Sequence, residues 1–117
     1  MAFCVVLITA SSDAEAGKLA RMMVESELAA CVNLVPGVRS IYRWQGKVEE
    51  AAEVLLIAKT VKTRVKELVR AVKKAHSASV PEVIALAIKG GSRDYLKWVG
   101  ENSGGVRPRT PARSPRL

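Results

Sequence analysis

Histidine, cysteine and aromatic side chains are scarce in this sequence: one His, two Cys, one Phe, two Tyr and two Trp among 117 residues. A single histidine excludes a zinc centre built from a His cluster within one subunit. Cys4 and Cys31 are too few for a disulfide scaffold, and a cytosolic setting keeps both as thiols. No RNP signature accompanies the few aromatics, so an RNA-stacking sheet of the RRM type is excluded. There is no G-x-S-x-G elbow, P-loop or G-x-G-x-x-G. Cys31 and His76 could form a nucleophile pair, but Cys31 lies between Ala30 and Val32 at a strand root, where a thiol packs as a small hydrophobe. The sequence therefore predicts a protein that is not an enzyme. No apolar run approaches the roughly 18 residues of a membrane span, and MAFCVVLITA lacks the basic start of a signal peptide. The expected location is cytoplasmic, with no membrane partner.

Charge is plentiful but unevenly placed. Of the net +8, residues 1–103 contribute +4, and residues 104–117, with Arg107, Arg109, Arg113 and Arg116 and no acid, contribute the rest. That end segment holds three prolines and almost nothing to bury, which predicts a basic, Pro/Arg-rich disordered tail after a single domain over 1–103. Nucleic acid is not expected as a partner beyond weak contacts by this tail.

The most informative stretch is Cys31 to Thr60. Val38, Ser40, Tyr42 and Trp44 alternate with Arg39, Ile41 and Arg43, the period of a half-buried strand. Gln45-Gly46 supplies a short turn, and Val54–Ala58 reads as a strand covered on both faces. Pro36-Gly37 predicts a bulge or bend in the first arm, because proline has no N–H for the ladder. Arms of this length exceed what so small a domain can cover, so their outer halves are expected to pair or pack with another subunit.

Around the hairpin, Phe3–Thr9 predicts a first strand. Residues 14–27 predict a helix with Leu19, Met22, Met23, Ser26 and Ala30 near one face. Thr63 is a candidate cap for a second helix reaching about Lys74, with Val65, Leu68, Val69 and Val72 inward and its many Lys and Arg as a solvated face. Residues 83–88 predict a fourth strand, and 93–100 a short last helix turning Tyr95, Leu96, Trp98 and Val99 inward. The order βαββαβ gives an α+β, ferredoxin-like sandwich with a long β2–β3 hairpin and a short C-terminal helix.

Five motifs in order carry a family resemblance: AACVN at 29–33, SIYRWQGK at 40–47, EVLLIAKT at 53–60, VPEVIAL at 80–86 and YLKWV at 95–99. Together they resemble the CutA divalent-cation tolerance proteins over residues 3–102. The resemblance implies a compact homotrimer, a role in tolerance of copper and other divalent cations, and copper binding in some members. No cofactor is required for folding. One departure stands out. The family commonly has HPYEVPE before the fourth strand, whereas this chain has HSASVPE, with Ser77, Ala78 and Ser79 in place of proline, tyrosine and glutamate. A cysteine found in the first strand of some members is replaced by Ile8.

The candidate ligands for copper or another divalent cation are His76 and Glu82, completed by Cys31 or by a neighbouring subunit. Imidazole and carboxylate suit Cu(II), and a thiolate favours Cu(I). His76 reads equally as a polar cap beyond the second helix, and Glu82 as a partner for a basic residue. Tyr42, Trp44, Lys59 and Trp98 are the residues expected at a ligand cleft or subunit interface. The alternative to metal binding at clefts between subunits is a trimeric regulator of P-II type binding a small anion, if Arg39, Arg43, Lys59 and Lys89 converge. A trimeric scaffold recruiting other proteins is a further alternative.

Overall fold

A computed structural model describes residues 1–104. The tail expectation for 104–117 therefore lies outside the described residues, Gly104 excepted. The elements are β1 (Phe3–Ala10), α1 (Asp13–Glu25), β2 (Cys31–Trp44), β3 (Lys47–Val61), a 3-10 turn (Lys62–Arg64), α2 (Val65–Ala75), β4 (Val83–Ala87) and α3 (Arg93–Asn102). The sheet has the order β2-β3-β1-β4 with every pair antiparallel. This is the ferredoxin-like arrangement.

One sheet face carries the core. Val6, Ile8 and Ala10 of β1 lie opposite Ala58, Leu56 and Val54 of β3, and all are buried. Leu19 and Met23 of α1 and Leu68 and Val72 of α2 close over them. Both helices use 3.6-residue spacing to meet a period-two surface. Ser12 caps α1 by accepting the Glu15 N–H at 3.1 Å. Ser26, expected on the inward face, is exposed beyond the end of the helix, where its hydroxyl bonds the Met22 carbonyl. At α2 the 3-10 turn replaces the expected Thr63 cap, and no side chain caps the helix start.

The other sheet face is only partly covered. Leu55 and Ile57 are half-buried, so Val54–Ala58 alternates rather than being enclosed on both sides. Ile84 and Leu86 of β4 are exposed on this same face. The helix α3 lies at one end of it, where Gly100 meets Phe3 and Tyr95 meets Cys31.

The hairpin reaches far beyond this sandwich. The molecule measures 52 × 25 × 24 Å, and the 14-residue β2 at about 3.3 Å per residue accounts for most of the long axis. β1 stops opposite Val54, so residues 47–53 of β3 have a strand neighbour only in β2. The register breaks between Val35 and Val38, with Gly37 at φ +77°, which is the bulge that Pro36-Gly37 foretold. Its extra length changes the parity of β2. Cys31, Asn33 and Val35 face away from the helices before it, and Val38, Ser40, Tyr42 and Trp44 do so after it. The tip closes with Gln45 and Gly46 both at positive φ, a conformation that glycine tolerates and that suits strand twist.

Candidate functional site

A cleft of about 740 Å³ opens between the outer hairpin and the loop joining α2 to β4. The hairpin contributes Tyr42, Trp44, Glu49 and Glu53 to its walls, and the loop contributes His76, Ser79 and Glu82. Tyr42 sits directly across from Glu49, and alternation puts Trp44 and Glu53 on the same sheet face. No Lys or Arg lines the cleft among the described residues. Arg39 and Arg43 point to the opposite face, where Arg39 pairs with Glu50 at 2.6 Å and Arg43 donates to the Gly46 carbonyl at 3.3 Å. Lys59 lies on the face away from these two arginines, so the basic set that an anion would need does not converge.

His76 forms part of the wall but is not a free ligand. Its side chain is only 3% exposed, and it follows α2 in an extended conformation with its N–H on the Val72 carbonyl. Nδ1 accepts the Ala78 N–H at 3.0 Å, so the neutral ring carries its proton on Nε2, which donates to the Thr9 carbonyl at 2.7 Å. Ligation by either nitrogen would break one of these bonds. Both ring nitrogens are engaged by backbone groups of β1 and of the loop, and neither bonds a carbonyl of α2.

A neighbouring carboxylate braces the same loop. Glu15 accepts from the Ser11 N–H and hydroxyl with one oxygen and from the Ser77 N–H at 2.8 Å with the other. Burial alone would raise its pKa, but the bonds from Ser77 and Ser11 outweigh burial and lower it to about 2. The S-x-x-E pattern at 12–15 signals a capped helix start, and nothing in sequence signals the link to Ser77, 62 positions away. Glu49 and Glu53 escape sequence reasoning for a similar reason. They read as polar residues of a hairpin arm until the loop is folded opposite them.

The expected site residues therefore separate into two groups. His76, Glu82, Tyr42 and Trp44 share the cleft. Cys31, Lys59 and Trp98 lie toward the other end of the sheet: Cys31 is paired with Lys59 and lies beside Tyr95, whose ring is 5.7 Å from that of Trp98. Burial, with the Cys31 thiol beside it, pushes the Tyr95 hydroxyl above its usual range. Lys59 lies six positions beyond Glu53 on β3, about 20 Å along a strand. Within one chain, Cys31 cannot complete a metal site with His76 and Glu82. Among the described residues no group of three or more His, Cys, Asp or Glu is placed to hold a metal ion.

Comparison with known proteins gives this geometry a family. The CutA1 divalent ion tolerance protein model matches residues 4–102. The divalent-cation tolerance protein CutA of Thermus thermophilus is 51% identical over 100 residues, covering 86% of this chain and 97% of its own length. A solved structure of the divalent cation tolerance protein Cut A1 from Thermus thermophilus superposes with a TM-score of 0.86 at 50% identity, over 87% of this chain and 99% of that one. A CutA homologue from Xenopus laevis is 48% identical over 80% of this chain, which spans 62% of that longer protein. The βαββαβ core from Cys4 onward, the long hairpin and α3 fall within the matched region, and the chain belongs to the CutA1 divalent ion tolerance protein family.

Proposed function

We propose that this chain is a divalent-cation tolerance protein that binds metal ions, copper among them, weakly at clefts completed by neighbouring subunits of a homotrimer. The observation that carries this reading is the charge of the cleft: Glu49, Glu53 and Glu82 line it and no Lys or Arg among the described residues does. Carboxylate oxygens suit divalent ions in general, with the softer preference of copper needing a nitrogen or sulfur donor. One chain offers dispersed carboxylates rather than a closed ligand set, so occupancy depends on donors from a second subunit, and binding is weak without them. This is a binding function, with no catalytic step.

Assembly is supported by surface that a lone subunit leaves uncovered. Ile84 and Leu86 are 50% and 52% exposed on the open sheet face, and residues 47–53 keep one ladder edge unpaired. Apolar patches and free edges of this kind mark association surfaces. The family resemblance supplies the number three. Light scattering should give three times the 12.6 kDa chain mass, and a monomeric mass would sink the trimer.

The cation reading is tested by calorimetric titration of the whole protein with Cu²⁺, beside Glu82→Gln and the double variant Glu49→Gln/Glu53→Gln. Weakened, saturable binding in these variants places the ions in the cleft. Binding that ignores all three carboxylates, or no binding to the unaltered protein, overturns it.

A further inference from the structure

Three acids of this fold are held by partners: Glu50 pairs with Arg39, Glu67 with Arg64, and Glu15 accepts from Ser11 and Ser77. The three carboxylates of the cleft are not. Among the described residues, Glu49, Glu53 and Glu82 take part in no hydrogen bond or ion pair. Lys47 shares their hairpin face at the tip, across from Trp44, but does not line the cleft. Glu53 lies four positions beyond Glu49 on β3, about 13 Å along the strand, and Glu82 belongs to the loop that forms the other wall. That spread suits several separated positive charges better than one ion, whose oxygen ligands sit at about 2.3–2.6 Å.

Aromatic and apolar surface lies among these charges. Tyr42 and Trp44 are 42% and 41% exposed, and neither ring stacks on another among the described residues. Tyr42 sits directly across from Glu49, so a ring and a carboxylate face the same space. Val80 and Pro81 add apolar surface from the loop. At about 740 Å³ the cleft falls within the roughly 300–1,000 Å³ of small-molecule pockets. A metal ion with its ligand shell leaves most of that volume, and the aromatic walls, unused.

We propose that the cleft binds a linear polyamine, a flexible methylene chain carrying separated ammonium groups. The inference rests on the reading above that the cleft takes cations, and it extends that reading from metal ions to an organic ligand. Each ammonium group donates to a carboxylate that has no other partner, a charge-assisted bond roughly twice as strong as a neutral one. The faces of Tyr42 and Trp44 attract the same charge through their ring quadrupoles. Methylenes between the amines lose water against the rings, Val80 and Pro81, a gain that a bare metal ion does not have. A lysine-bearing protein segment carries similar groups, but a recess of this volume is the size of a small molecule.

The test is calorimetric titration of the full chain with spermidine, beside Trp44→Leu, Trp44→Phe and the double variant Glu49→Gln/Glu53→Gln. Spermidine should bind saturably, and more weakly as salt is raised, because the cleft is open to solvent. Trp44→Leu should weaken it about fivefold, and Trp44→Phe, which keeps a ring face, should restore most of that loss. The double glutamate variant should weaken it at least about tenfold. Butylamine, with a single ammonium group, should bind far less tightly than spermidine. Circular dichroism and light scattering separate lost contacts from lost folding or assembly. The glutamate variant alters side chains outside the core, so it decides the matter if Trp44→Leu does not fold. The proposal is overturned if spermidine does not bind, if the glutamate variant keeps the unaltered affinity, or if folded Trp44→Leu does. It is likewise overturned if butylamine matches spermidine, or if oligolysine binds through the glutamates and spermidine does not. Cu²⁺ titrated in parallel separates this inference from the reading beneath it. Carboxylate-dependent Cu²⁺ binding without spermidine binding removes the polyamine alone, and binding of neither removes the cation reading as well.

Discussion

The root and the tip of the hairpin share one secondary structure and meet opposite surroundings. At the root, Val54, Leu56 and Ala58 alternate inward and are sealed by β1 and the two helices. At the tip, every residue from Ile41 to Glu50 is exposed, including Ile41 at 64% and Val48 at 66%. Alternation with β-branched and aromatic residues marks both as strand. What differs is the number of neighbours: β3 is central while β1 runs beside it and becomes an edge where β1 ends. The lesson is that a strand pattern specifies a surface meant to be covered, without saying whether the chain itself supplies the cover.

Substitutions can break this contrast in order of expected effect. Leu56→Ala, at the sealed root, should cost about 3–4 kcal/mol in urea unfolding, because a fully buried leucine leaves a cavity under two helices. A loss under about 1 kcal/mol would mean the root is no more enclosed than the tip. Next comes Glu15→Gln, which removes the brace between α1 and the cleft loop. The Glu15 carboxyl titrates at about 2 instead of 4.5. A depressed pKa contributes stability that is fully present above about pH 4.5 and is lost as pH falls through 2, on the order of 2 kcal/mol from this one group. Unfolding curves for the two proteins should differ by that amount at neutral pH and converge as the pH approaches the depressed pKa. A gap that persists at low pH would remove the carboxylate from the account.

Smaller effects are expected further out. Gly37→Ala places a side chain at φ +77° with open space around it, so the cost is backbone strain alone, about 1 kcal/mol. Denaturant melts would show it as a shifted midpoint with unchanged slope. Last are Ile41→Thr and Val48→Thr at the tip. In a lone subunit each should change stability by less than about 0.5 kcal/mol. In an assembly that covers the tip, the same changes should lower stability in a way that grows as the protein is diluted. Equal midpoints at every concentration would leave the tip a free arm.

The candidate site was partly legible for the same reason. His76 and Glu82 flank one short loop, and Tyr42 and Trp44 share one strand face by parity, so local spacing groups each pair. The bulge was foretold by Pro36-Gly37, and the resulting change of parity places Tyr42 and Trp44 on the open face. Sequence could not show that Cys31 sits with Tyr95 and Lys59 rather than with His76, because that depends on where α3 lands on the sheet. Nor could it show both nitrogens of His76 already occupied, one by a carbonyl 67 positions away.

By itself the sequence determined the order of elements, the hairpin with its turn and bulge, the core positions Leu19 and Met23 of α1 and Leu68 and Val72 of α2 and, through five motifs, the family. These depend on near neighbours along the chain: period, backbone freedom at Gly and Pro, and charge run. The tertiary structure decided which chemistry-bearing groups meet. It gathered Glu49, Glu53 and Glu82 around one cleft and set Arg39 and Arg43 on the reverse face. Those juxtapositions join residues tens of positions apart, and only the packing of helices on a sheet of fixed register brings them together.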